Sequence, residues 1–145
     1  MKVFLDTNVV ISAIATRGLC ADVFRTVIEF HELVVSEALL SELERVLLDK
    51  FGAPAGLIAD TLWLLRQDAH LSSPNPKIHL SLKDKTDILI LSSAINGRAE
   101  VFVTGDREIL GLRTIGRLEI LSPRDFWERM AREKSAPADP NKPRR

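Results

Sequence analysis

The chain has 145 residues, 46% of them hydrophobic, and its twenty basic residues match twenty acidic ones. That length suits one domain, which at this size buries roughly 70% of the surface its unfolded form exposes. The balanced charge neither advertises nor forbids a nucleic acid partner, since that depends on a local basic groove. A lone Cys20 and the scattered His31, His70 and His79 exclude a disulfide framework and a histidine or thiolate zinc site, so any metal must sit on oxygen ligands.

In chain order, Val3-Phe4-Leu5 reads as a buried strand that stops at Asp6-Thr7-Asn8, after which Val9-Val10-Ile11 leads through Ser12-Ala13-Ile14-Ala15 into a helix start. Asp6 arrives too early for a signal peptide or membrane span, so a soluble, cytoplasmic protein with no membrane association is expected. Leu19, Val23, Val27 and Ile28 recur at helical spacing. A second strand, Leu33 to Val35, ends at Ser36, and a helix follows from Glu37 to Lys50. Leu39, Leu40, Leu43, Val46 and Leu47 lie on one of its faces, and Phe51-Gly52 closes it. Pro54 opens another helix, striped by Leu57, Ile58, Leu62 and Leu65.

Residues 72–76 carry loop chemistry. Asp84 to Asn96 reads as a helix with Ile88, Leu91, Ala94 and Ile95 inward and Gly97 as its C-terminal cap. A third strand, Val101 to Val103, runs out at Thr104-Gly105-Asp106 into a helical turn through Ile109 and Leu110. The last strand is Leu118 to Leu121, and Ser122 then caps a helix with Pro123 at its first position and Asp125 near its dipole. The folded domain is expected over 1–130. The stretch 134–145 has too little apolar content to fold and is expected to be disordered.

Short apolar strands separated by helices imply an α/β fold with a mainly parallel sheet, and such sheets bind ligands outside the carboxyl ends of their strands. Several acids fall there. Asp6 ends the first strand, where its ordinary role would be a helix cap; Asn8 can take that role and release it. Glu42 borders the apolar stripe of its helix, where a boundary glutamate commonly pairs with a neighbour such as Arg45. Asp84 and Asp87 open one helix together. A cap explains one of them, and Asp87, which precedes the run Ile88 to Leu91, is the better functional candidate, with Asp84 as a cap or outer ligand. Asp106 follows a glycine turn at a strand end, with the Thr104 hydroxyl beside it.

Carboxylates gathered at one rim repel: two unit charges about 4 Å apart cost roughly 4 kcal/mol at an effective dielectric of ~20. Mg²⁺ or Mn²⁺ relieves that repulsion with the oxygen ligands these ions prefer, and the chemistry that such an ion supports best is phosphodiester hydrolysis.

The ordered set of motifs resembles the PIN-domain (PilT N-terminus) nucleases. The residues that carry the resemblance are Phe-Leu-Asp-Thr-Asn-Val-Val-Ile-Ser-Ala, Ser-Glu-Ala-Leu-Leu-Ser-Glu-Leu, Val-Phe-Val-Thr-Gly-Asp-Arg-Glu-Ile-Leu and the closing Ile-Leu-Ser-Pro-Arg-Asp-Phe, across about residues 2 to 127. The resemblance implies a three-layer α/β/α sandwich. It places Asp6, Glu42, Asp87 and Asp106 at the acidic positions that bind Mg²⁺ or Mn²⁺, with Asn8 and Thr104 as supporting polar groups.

It further implies hydrolysis of RNA, a homodimer and, for a VapC-like member of this size, a toxin held by a small antitoxin. The subgroup often has a denser acidic run where this chain reads Lys83-Asp84-Lys85-Thr86-Asp87-Ile88. Asn8 stands where a haloacid dehalogenase phosphatase needs a second acid, and no phosphate-binding glycine motif appears. The remaining rivals are an RNA-processing nuclease outside a toxin system and a catalytically weak RNA- or protein-binding module.

Overall fold

A computed structural model describes residues 1–135. β1 (Lys2–Leu5) is central in a six-stranded sheet and fully buried over Val3, Phe4 and Leu5, as a strand covered on both faces must be. It leads through α1 (Thr7–Ala15) and α2 (Leu19–Phe30) to β2 (Glu32–Ser36). α3 (Glu37–Asp49) and α4 (Ala55–Asp68) then lead to β3 (His70–Ser72). After α5 (Lys85–Asn96) the chain enters β4 (Val101–Val103), α6 (Arg107–Leu110), β5 (Thr114–Ile115), β6 (Leu118–Leu121) and α7 (Pro123–Ser135).

The strand order is β3-β2-β1-β4-β6-β5, parallel except for the β5–β6 hairpin. From β1 the chain steps outward to β2 and β3, and α5 then carries it back across β1 to β4. Right-handed crossovers therefore put α1 to α4 on one face of the sheet and α5 on the other, the three layers expected from the sequence. The connections after β1 and β4 leave in opposite directions, so the crevice between these neighbours is the switch point of the sheet. Phe4 and Phe102 are register partners there, and their rings stack at 5.4 Å.

Several details differ from the sequence expectations. α1 starts at Thr7, directly after the strand, so Val9, Val10 and Ile11 are its buried helical residues. Ser72 ends an edge strand instead of opening a loop, and the two-residue β5 was missed; strands this short carry no readable alternation. Leu57 and Ile28 lie on the solvent side of their stripes, 54% and 42% exposed. In α5 the most deeply buried apolar residues are Ile90, Leu91 and Ala94, while Ile88 and Ile95 are only partly covered. α7 continues to Ser135, two residues into the stretch expected to be unstructured; 136–145 lie outside the described residues.

Two glycines do different jobs. Gly52 takes φ +53 beyond α3, and the Gly52 and Ala53 amides bond back to the Leu48 and Leu47 carbonyls, closing the helix as expected. Gly97 caps α5 with an ordinary φ of −78° and is required for space instead. A Cβ there would meet the Ser72 side chain and Val34 Cγ1 at 2.9 Å. Among the described residues no single helix is long and apolar enough to cross a membrane.

Gly97→Ala therefore forces α5 away from β2 and β3. Denaturant unfolding should show a loss of about 1–3 kcal/mol, whereas a Gly56→Ala control, which meets nothing within 4 Å, should be neutral or stabilising.

Candidate active site

Asp6 stands at the carboxyl end of β1 and is 5% exposed. Its amide bonds to the Val103 carbonyl at 2.9 Å, which extends the β1–β4 ladder by one residue and sets Asp6 beside Thr104. Asp6 Oδ1 accepts the Thr7 amide at 2.8 Å and so caps α1; Oδ2 accepts the hydroxyl of the fully buried Thr104 at 2.7 Å. The cap is thus Asp6 and not Asn8, which lies exposed within α1: the residue immediately before the first helical turn is the one positioned to cap it. Capping occupies only one oxygen of the carboxylate. The other is held toward β4.

Thr104 relays this order onward, because its Oγ also accepts the Asp106 amide at 3.0 Å. Asp106 caps α6, with Oδ1 taking the Glu108 and Ile109 amides at 2.8 and 3.3 Å. Asp84 caps α5 through the Thr86 amide at 2.8 Å, which leaves Asp87 in the first turn with its carboxylate uncommitted. Glu42, half-buried on α3 beside the covered Leu39, Leu43 and Val46, reaches the same region from the next connection. Neither Glu42 nor Asp87 accepts a hydrogen bond among the described residues, and Glu42 is not bridged to Arg45.

Residues 2–108 match the family model described as the PIN domain. The chain belongs to the PIN domain family. This PIN domain is similar in fold to a chain of VapBC2 from Rickettsia felis, crystallised bound to a DNA fragment from their promoter. The TM-score is 0.60 at 16% identity over 84% of this chain and 98% of that one. It is also similar to a chain of VapBC-1 from nontypeable Haemophilus influenzae, with a TM-score of 0.60 at 21% identity over 86% of this chain and 99% of the other. At those identities the likeness is one of fold. No curated protein matches the sequence.

The electrostatics of the PIN domain show which acids share one field. Burial raises the Asp6 carboxyl above its ordinary 3.8, against the lowering effect of the Thr104 and Thr7 hydrogen bonds, and Glu42 and Asp106 add to the rise. Asp87 is pushed up to about 7, first by burial and then by Asp84, Asp6, Asp106 and Glu42. Asp87 therefore feels the charge of each of the other four acids, and Asp6 that of Glu42 and Asp106. Among the described residues no group of three or more histidine, cysteine or carboxylate side chains is arranged to hold a metal ion as it stands.

The donor set nonetheless suits a hard divalent cation. It consists wholly of oxygens, two of its carboxylates are uncommitted, and burial together with the neighbouring acids keeps Asp87 partly protonated near neutrality. One further group went unnoticed in the sequence. The Thr7 hydroxyl, 1% exposed, has no hydrogen-bond partner among the described residues. Its only sequence signal is its place between Asp6 and Asn8.

Asp87 gives a signed pH dependence. The unfolded chain releases this proton near 3.8 and the folded chain near 7, so in the metal-free protein Asp87 costs nothing below pH ~4 and drains stability as the pH rises to about 7. Asp87→Asn should flatten the fall of Tm between pH 4 and 8. At pH 8 it should raise Tm by roughly 2–5 °C, allowing for solvent screening of a half-exposed group. A calorimetric pH series checks both.

Proposed function

We propose that this PIN domain is a divalent-metal-dependent endoribonuclease of the cytoplasm that hydrolyses RNA phosphodiester bonds, acting as the toxin of a toxin–antitoxin pair. The observation that carries the reading is the set of five acids sharing one field at the switch point, with Asp6 held there on both its oxygens. The PIN family is one of nucleases and generally uses divalent metal ions. Asp6, Glu42, Asp87 and Asp106 would hold Mg²⁺ or Mn²⁺, with Asn8 and Thr104 supporting and Asp84 as an outer ligand. When bound, such an ion offsets the mutual repulsion and supplies Lewis-acid polarisation of the phosphodiester and an activated water.

The chain's own residues supply order and proton traffic. The Thr7 amide and the Thr104 hydroxyl fix the direction of Asp6, and the cap on α6 fixes Asp106. Asp87 exchanges its proton near neutral pH, which suits it to hold or release one during hydrolysis. Asp6→Asn keeps the helix cap and removes the charge, so the fold should survive. Metal-dependent cleavage of an RNA substrate should fall by about a hundredfold or more and should stop in wild type on adding chelator. Equal cleavage by Asp6→Asn and wild type would reject the site, and absence of any Mn²⁺-induced thermal shift would favour a non-catalytic binding module.

The pairing with a small antitoxin draws support from a second surface. Val10, Ile14, Phe24, Ile28, Leu33 and Leu64 line an apolar groove of about 290 Å³ between α1, α2 and α4, with Leu64 53% exposed. An amphipathic helix of a partner fits such a groove, and the two solved structures compared above are of VapBC proteins. Expression of the chain should be toxic, and a small protein encoded beside it should relieve the toxicity. Ile28→Asp should abolish that relief and leave the toxicity intact. A harmless chain would instead point to an RNA-processing nuclease. The homodimer implied by the family resemblance belongs to the same proposal and is read by sedimentation equilibrium.

A further inference from the structure

Beside the carboxylates, Ala38, Ser41, Glu42 and Arg45 of α3 and Thr86 and Leu89 of α5 line an open cavity of about 270 Å³. Glu42 belongs both to this cavity and to the field of Asp6 and Asp87. Arg45 follows Glu42 by three residues, a spacing at which opposite charges on a helix ordinarily pair. Among the described residues, however, Arg45 makes no ion pair and no hydrogen bond. Arg25, Arg66 and Arg129 are engaged with Asp22, Glu37 and Glu119, whereas Arg45 shares its free state with other exposed arginines such as Arg107 and is set apart by lining this cavity together with Glu42. A guanidinium left free one turn from a site acid is available to an anion that approaches the site.

A phosphodiester chain is such an anion, and five acids would repel it unless cationic groups stood along its path. A guanidinium matches phosphate oxygens with a planar fork of donors, and the hydroxyl-bearing Ser41 and Thr86 line the same walls. Leu89, 45% exposed, adds an apolar surface for a ribose or base. The cavity is smaller than the ~300–1,000 Å³ typical of pockets for whole small molecules. It suits one unit of a longer ligand that continues over the surface.

We propose that this cavity binds the nucleotide adjacent to the scissile bond, with Arg45 holding that nucleotide's phosphate. The proposal rests on the ribonuclease reading, since the acids mark where the scissile phosphate lies. Arg45 is a positioning residue for the substrate and takes no part in holding the metal.

The test uses the full chain and a labelled single-stranded oligoribonucleotide, with binding followed by anisotropy in chelator and cleavage followed with Mn²⁺. Arg45→Gln should weaken binding about tenfold and raise KM by a similar factor with kcat little changed. The slope of log affinity against log salt should shrink by about 0.7, one phosphate contact on a single strand. Arg45→Lys should recover part of the affinity, Arg25→Gln should match wild type, and the Mn²⁺-induced rise in Tm should be unaltered in Arg45→Gln.

Wild-type affinity and slope in Arg45→Gln, with cleavage otherwise normal, would overturn the subsite and leave the ribonuclease reading standing. A wild-type protein that neither binds nor cleaves RNA would remove both. Loss of inhibition by the small partner protein in Arg45→Gln, with RNA affinity unchanged, would assign Arg45 to the protein interface and overturn the subsite.

Discussion

The hydrogen bond from Thr104 to Asp6 joins the ends of the two strands between which the chain reverses its course across the sheet. Its geometry follows from the register beneath it. Phe4 lies against Phe102 and Leu5 against Val103, so the next residues out of the ladder are forced to meet. A slip of one residue between β1 and β4 would turn Asp6 away from Thr104 and present a hydrophobic side chain to the crevice. The stacked Phe4 and Phe102 rings and the fully buried flanking valines and leucine make that slip unfavourable. The apolar core therefore acts on the polar rim chiefly by holding its register.

Around that bond the remaining acids arrive by separate routes: Glu42 on α3, Asp87 on the opposite layer through α5, and Asp106 across the turn from β4. Each is local to its own element, yet they converge because every parallel strand delivers its following helix at the same edge. The convergence opposes the stability of the empty fold. Asp6 and Asp87 are both held in protonation equilibria displaced toward the neutral form, first by burial and then by neighbouring acids, Glu42 and Asp106 acting on both. The crevice between β1 and β4 is thus the part of the sheet that gains most from a counter-charge.

How legible this was in the sequence depended on length of signal. β1, α3, β4 and β6 announced themselves through apolar runs or a five-residue stripe, and the acids at their ends followed from the parallel architecture. β3 and β5 did not, because three- and two-residue edge strands bury too little to impose a pattern. The choice between Asp6 and Asn8 as cap went to Asp6 because capping belongs to the residue just before the helix, and periodicity could not fix that boundary to one position. Gly97 was recognised as a cap, but its tight approach to Ser72 and Val34 is a contact between elements far apart in sequence. The same limit hid the free state of Arg45, since only the folded arrangement reveals which neighbours leave a charge unpaired.

Asp6, Asp84 and Asp106 each begin a helix while facing the shared centre. Asparagine caps a helix about as well as aspartate does. At these positions, replacing one carboxylate oxygen by an amide nitrogen removes a charge and relieves repulsion while leaving the backbone amides satisfied. Drift toward a silent relative is therefore energetically downhill: a lineage released from selection for hydrolysis would keep its scaffold and binding surfaces and accumulate asparagines at these caps. Aspartates at positions where asparagine would fold more comfortably are what the proposed hydrolysis demands of the scaffold.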